Sequence, residues 1–317
     1  MRSVKNSNCL LKPLVLKPRT HLESQNNMTH SSQPETIRPR RSFIFTPGLK
    51  PEMFPKALAS GADMVCIELE DGVAPKDKDE ARRKGLSLFE KPLKADGVEC
   101  VVRINCIRSA FGISDIQAIL KSSTPPPGLM LPKVNSPEEI RWIEELLDEA
   151  EHECRLHVII ETNAGLESAF EIAQSSSRIE ALYFGGVDMS AELRCKNSWE
   201  TLIYARSKLV HAAANAGIDA IDVPYLDLED PEGMKQEAIL ARDLGFSGKG
   251  SIHPKQIPIL NEVFTPEPAG VEYAQKILKA FEDADTGLVV VDGKLIEKPV
   301  LREMQRILAV HSRVSKS

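Results

Sequence analysis

The sequence predicts a (β/α)8 barrel with a C-terminal helical and lid extension, and three observations carry that prediction. Eight short apolar runs lie between Ser42 and His253, longer amphipathic stretches separate them, and seven of the eight end on polar or charged residues. Near-continuous apolar runs bounded by turn residues suit strands buried on both faces, as parallel sheets require. Eight such units in roughly 220 residues fit a closed barrel better than an open sheet. No Gly-x-Gly-x-x-Gly opens the first unit, which argues against a dinucleotide-binding fold.

In chain order the predicted strands are Ser42–Thr46, Met64–Glu70, Glu99–Asn105 and Gly128–Val134, then Leu156–Thr162, Ala181–Phe184, Ile218–Val223 and Gly250–His253. Between them, Lys76–Phe89 reads as a helix with alternating charges. Ser136 precedes Pro137 and two glutamates, a cap with acids in the first turn, and leads into an amphipathic helix. Ser198–Ala214 is amphipathic, and Asp230–Leu244 opens on an Asp cap and closes on Gly245. The predicted organisation is a basic N-terminal extension over residues 1–40, the barrel over 41–265, and a C-terminal helix and lid segment over 266–317.

The 317 residues are 42% hydrophobic and 27% charged, which excludes a wholly disordered chain. No apolar run is long enough for a membrane-spanning helix. Residues 1–41 carry a net charge of +6 and the remainder −12, so nucleic acid is not expected as a partner. The first stretch lacks periodicity and reads as disordered. Its basic, Ser-containing character fits an organelle transit peptide, here mitochondrial. Two prolines and the internal Met28 favour instead a dispensable extension on a cytoplasmic protein. Six cysteines show no paired spacing, as expected of reduced thiols.

A barrel carries its chemistry at the C-terminal ends of its strands. Those ends supply Thr46, Glu70 and Asp71, Arg103 and Asn105, Lys133, Glu161 and Thr162, Asp188, and His253. Glu161 and Asp188 follow successive strands. Adjacent carboxylates repel unless a cation or proton lies between them, and Mg²⁺ is the natural occupant; N-caps or surface acids are the plainer alternative. Arg103 can grip a substrate carboxylate or pair with a rim acid such as Glu70. Glu70 and Asp71 can bond metal-bound waters or cap the following loop. His253 is the one strand-end histidine, and no HExxH, Gly-x-Ser-x-Gly or Walker sequence is present.

These strand ends, with the segments RSFIFTPGLKPEMFPKAL, IELEDGVAPKDKDEAR, VVRIN, LPKV, IIETNAG, FGGVDM, GFSGKGSIHPKQI, FTP and VDGKLIEKPV, resemble the HpcH/HpaI aldolase and citrate lyase β-subunit family. The resemblance spans about residues 41–305 and is strongest to the acyl-CoA ester lyases of malyl-CoA and citramalyl-CoA type. It implies Mg²⁺ on Glu161 and Asp188 and a substrate carboxylate on Arg103. It implies a coenzyme A thioester along Phe45, Lys50, Lys56, Val187, Ile252 and His253, and a 2-oxoacid product. It further implies a homotrimer or homohexamer in which a neighbouring subunit contributes a catalytic aspartate. The matching position here is Glu297, which keeps the carboxylate but reaches farther by about 1.5 Å, one C–C bond. The expected reaction is cleavage of a carboxylated 3-hydroxyacyl-CoA. A malyl-CoA-type thioesterase, an aldolase on free hydroxy-oxoacids and a non-catalytic CoA-ester-binding subunit are the alternatives.

Overall fold

The computed structural model describes residues 38–91, 97–284, 287–298 and 300–314. Eight parallel strands close on themselves in sequence order: β1 (Ser42–Pro47), β2 (Met64–Glu68), β3 (Glu99–Arg103), β4 (Gly128–Leu131), β5 (Arg155–Ile160), β6 (Ile179–Phe184), β7 (Asp219–Asp222) and β8 (Gly248–Ser251). Closure is made by β1 on β8, with Phe43 opposite Gly250 and Ile44 opposite Ser251. All eight predicted strands are present. Their ends differ by a few residues, and β2 stops at Glu68, two residues before its predicted end.

Side chains alternate across each strand, so every second residue enters the barrel. A middle layer of Phe43, Met64, Cys66, Val101, Met130, Ile159, Tyr183 and Ile221 fills the interior. The opposite residues pack against the surrounding helices in a larger core. Because the period is two, the same parity sends Glu68, Arg103 and Glu161 inward at the C-terminal mouth. It sends Glu99, His157 and Asp219 inward at the other end. The barrel interior is therefore polar, apolar and polar in successive layers.

The helices follow their predicted signals with two differences, one of which is that the segment predicted as Lys76–Phe89 is α-helical only over Lys78–Leu86, with 3-10 turns on either side. The helix Pro231–Leu244 is capped by Asp230, whose carboxylate accepts from the Gly233 amide at 2.8 Å, and it ends on Gly245 at φ 114°. Ser136 occupies the cap position of Pro137–Glu149, but its side chain makes no cap hydrogen bond. Instead Glu139 accepts from the Asn135 amide at 3.2 Å. No helix among the described residues is long and apolar enough to cross a membrane, and the five described cysteines are free.

Residues 1–37 of the expected extension lie outside the described residues. Arg40 does not belong with them. Its guanidinium is buried and binds Glu99 at 2.7 Å, Glu180 at 2.7 Å and Asp219 at 2.8 Å, closing the N-terminal end of the barrel. A basic residue next to a basic tail resembles tail in composition; three carboxylates at the N-terminal end of the barrel decide otherwise.

After the barrel, the helix Pro268–Glu282 is followed by an antiparallel hairpin, β9 (Leu288–Val291) and β10 (Lys294–Glu297), and by the helix Val300–Val314. The region thus holds two helices around a hairpin. Arg306, in the last helix, reaches Asp219 at 2.6 Å and ties the extension to the N-terminal end of the barrel. Replacing Arg40 with Met leaves three carboxylates without their shared cation. The expected loss is about 3–5 kcal/mol, as when one partner of a buried ion pair is removed, read from urea unfolding; a loss below about 1 kcal/mol contradicts the role assigned to Arg40.

Candidate active site

Glu161 follows the last residue of β5 and is only 3% exposed. Its Oε1 accepts from the backbone N–H of Lys133 at 2.9 Å. Its Oε2 lies against Gly185, where a Cβ would come within 2.4 Å, so only glycine fits after β6. Asp188 stands in the first turn of the helix Gly186–Leu193, which begins directly after that glycine. Neighbouring strands thus bring a buried and a part-exposed carboxylate together, as their spacing predicts. Burial, with the charges of Asp188 and Glu70, pushes the Glu161 carboxyl up to about 8, despite the opposing pull of Lys133 and Arg103.

Arg103 ends β3 inside the mouth. Its Nε donates to Glu68 at 2.5 Å, Nη1 stands 3.5 Å from Glu70, and the guanidinium lies 4.6 Å from the centre of the Phe45 ring. Burial opposes its charge, but Glu68 and Glu70 hold its pKa above the ordinary arginine value. Among the described residues Nη1 makes only this longer ion pair with Glu70, and no hydrogen bond engages Nη2. A guanidinium fixed through Nε and stacked on an aromatic ring presents those nitrogens as a planar fork.

Glu70 and Asp71 meet the Lys133 ammonium, Asp71 at 2.9 Å. Burial raises the Glu70 pKa, against the pull of Arg103 and Lys133. Burial works the same way on Asp71, but its hydrogen bond from Lys133 carries it below the ordinary range. Lys78 holds this loop by donating to the carbonyls of Leu69 at 3.0 Å and Glu70 at 2.6 Å. Lys133 itself has φ 55° and also stands 4.0 Å from Asp188.

Around this centre, Phe45 is part-buried beside Arg103, and Val187 is exposed next to Asp188. Lys50 and Lys56 are exposed on the segment after β1, with no ion pair among the described residues. Ile252 is exposed after β8, and His253 accepts from the Lys255 amide at 3.1 Å. His253 also borders a cavity of about 200 Å³ with Leu228, Met234, Lys255 and Ile259. Glu297 is exposed at the end of β10. No contact among the described residues of this single chain joins it to Arg103, Glu161 or Asp188.

One member of the centre, Glu68, which orients Arg103, is not singled out from the sequence; Lys133 stands there as a strand end, without its link to the acids. Strand parity marks Glu68, two residues beyond the inward Cys66; the Lys133 link depends on a left-handed backbone that no local sequence signal announces.

No group of three or more metal-ligating side chains occurs among the described residues. A buried hard carboxylate beside a part-exposed one suits Mg²⁺, which keeps waters in its shell.

The geometry gathers a carboxylate pair, Glu161 and Asp188, beside Arg103 and Lys133 at the C-terminal mouth of the barrel. Residues 41–254 match the family model described as HpcH/HpaI aldolase/citrate lyase. The citrate lyase subunit beta of Escherichia coli K12 is 33% identical over 291 residues, covering 88% of this chain and 95% of that protein. The mitochondrial citramalyl-CoA lyase of Homo sapiens is 31% identical over 299 residues, covering 88% of each. The crystal structure of CitE from Mycobacterium tuberculosis, in complex with magnesium, acetoacetate and coenzyme A, superposes with a TM-score of 0.70 at 29% identity. It covers 86% of this chain and 97% of that one. The chain belongs to the HpcH/HpaI aldolase/citrate lyase family, and it is a carbon–carbon lyase.

Because the folded Glu161 binds its proton up to about pH 8 and the unfolded one only up to about 4.5, the folded state holds the extra proton between those values. Metal-free stability therefore falls as pH rises through that window. The Glu161→Gln variant removes this contribution. Thermal melts should show its advantage over wild type growing from pH 4.5 to 8 and then levelling; parallel profiles contradict the assignment.

Proposed function

We propose that this chain cleaves, reversibly, a carboxylated 3-hydroxyacyl-CoA of the malyl-CoA or citramalyl-CoA type into an acyl-CoA and a 2-oxoacid. The observation that carries the reading is the juxtaposition of Arg103, whose Nη2 has no hydrogen-bond partner among the described residues, with the Glu161–Asp188 pair. A carboxylate next to a hydroxyl or oxo oxygen is the ligand such a pair of sites recognises together.

Glu161 and Asp188 would hold Mg²⁺, the ion in the mycobacterial complex. Bound there, the ion supplies Lewis-acid polarisation of the substrate oxygen. Arg103 binds and orients the carboxylate, and Glu68 keeps its fork turned into the mouth. The inward apolar layer beneath, with Phe45 beside the guanidinium, keeps water from below the reacting carbons. In cleavage a base takes the hydroxyl proton, the bond between the carbinol carbon and the thioester α-carbon breaks, and its electron pair passes into the thioester enolate. A proton added at the α-carbon completes the acyl-CoA. Phe45, Lys50, Lys56, Val187, Ile252 and His253 would face the coenzyme A moiety, with the two lysines toward its phosphates.

Glu297 is the proposed acid at that carbon, donated by a second copy in a homotrimer or homohexamer. The hairpin supports this. Strand pairing sets Leu295 opposite Val290 and Glu297 opposite Leu288, so these four share one face. Val290 is 69% exposed and Leu295 62%. An apolar face that carries the carboxylate suits burial against another copy. The mitochondrial human relative sets organelle import beside the cytoplasmic reading for residues 1–40, and subcellular fractionation decides between them.

The test is incubation with malyl-CoA and citramalyl-CoA, with Mg²⁺ or EDTA, measuring 2-oxoacid and free thiol separately. Oxoacid with little thiol, abolished by EDTA, is expected. Thiol with free hydroxyacid identifies a thioesterase instead and points to Glu297 as the cause. Turnover that persists in metal-free protein sinks the scheme. The Val290→Lys/Leu295→Lys variant should dissociate the assembly and lower turnover by roughly a hundredfold, the scale of a misplaced catalytic group. Size-exclusion chromatography and rates check both effects, and a variant that remains assembled and active contradicts the hairpin role.

A further inference from the structure

We propose that Lys133 governs the affinity of the Glu161–Asp188 pair for a divalent ion, keeping it weak until an anionic substrate arrives. The proposal deepens the functional reading above and rests on its metal seat. Three observations meet in this residue. Its backbone adopts φ 55° two residues after β4, a conformation that a side chain with a Cβ disfavours. In that conformation its amide donates to Glu161 at 2.9 Å. Its ammonium joins Glu70 and Asp71, the latter at 2.9 Å, and stands 4.0 Å from Asp188.

One residue therefore touches both expected ligands, through different atoms and with different consequences. The amide bond orients Glu161 and is independent of the side chain. The ammonium places a positive charge beside Asp188, where it partly neutralises the carboxylates that a divalent ion needs. An entering ion is either repelled by that charge or must displace it. A substrate carboxylate brings negative charge to the same mouth and offsets the repulsion, so ion and substrate bind cooperatively. By linkage, each tightens the other by the same factor.

The sign of this effect separates it from simple scaffolding. Loss of a scaffold residue weakens metal binding, whereas loss of a governing charge tightens it. Lys133→Met keeps the chain length and removes the charge; Lys133→Gln does so with a polar end; Lys133→Arg keeps the charge. Circular dichroism establishes that each is folded, and the electron paramagnetic resonance signal of free Mn²⁺ gives the affinity without any turnover.

In the absence of substrate, Met and Gln variants should bind Mn²⁺ about tenfold more tightly, a reasonable effect for one charge removed a few ångströms from a part-exposed site. The Arg variant should stay within about twofold of wild type. Oxalate, as a carboxylate probe, should tighten Mn²⁺ binding more in wild type than in the Met variant. Unchanged or weaker Mn²⁺ binding in the folded neutral variants overturns the proposal. Equal tightening in Lys133→Arg also overturns it, because the charge is then not the cause. Wild-type protein that binds no Mn²⁺ at all, with or without oxalate, overturns the metal seat itself and this proposal with it.

Discussion

The repulsion between two carboxylates on adjacent barrel strands is the constraint around which the mouth of this protein is organised. Glu161 is nearly sealed from water and Asp188 lies beside it. In isolation such a pair is costly, since each charge raises the cost of ionising the other. The fold holds them in place nonetheless. Closure of β5 against β6 brings them together, Gly185 makes room for the Glu161 carboxylate, and the Lys133 amide fixes its orientation. The cations Lys133 and Arg103 moderate the repulsion without removing it: Glu161 still titrates near 8. A site kept in that condition is prepared for a further positive charge.

The rest of the interior follows the same alternation of strand residues with the opposite outcome. At the N-terminal end Arg40 satisfies Glu99, Glu180 and Asp219 at hydrogen-bond distance, and Arg306 adds a second cation on Asp219. That end is electrostatically closed, whereas at the mouth the ion pair of Asp188 with Lys133 is 4.0 Å long and that of Arg103 with Glu70 is 3.5 Å. The contrast agrees with the general division of labour in such barrels, stability at one face and chemistry at the other. It also links the C-terminal extension to the barrel, because the helix that supplies Arg306 follows the hairpin carrying Glu297.

Much of this was legible in the sequence because the strands are apolar on both faces and separated by helices with clear caps. Strand-end position alone brought out Arg103, Glu161 and Asp188, since a parallel barrel aligns the ends of its strands. Glu68 was hidden by its neighbours: the run IELED offers three acids, and only knowing that β2 ends at Glu68 separates the inward one from Glu70 and Asp71. Arg40 reads as tail in the sequence because its partners, Glu99, Glu180 and Asp219, are far away along the chain. Lys133 needed a backbone conformation with no composition signature. The meeting of Glu297 with the centre is beyond a single chain, although the exposed Val290 and Leu295 on its face mark where another copy would sit.

The central claim is that Glu161 and Asp188 together form the divalent-cation seat. Isothermal titration of Mg²⁺ into wild type, Glu161→Gln and Asp188→Asn tests it most directly. One ion per chain in wild type, lost in each variant while the fold and melting cooperativity persist, is the predicted result. Wild-type affinity and stoichiometry in either variant would place the ion elsewhere and contradict the account.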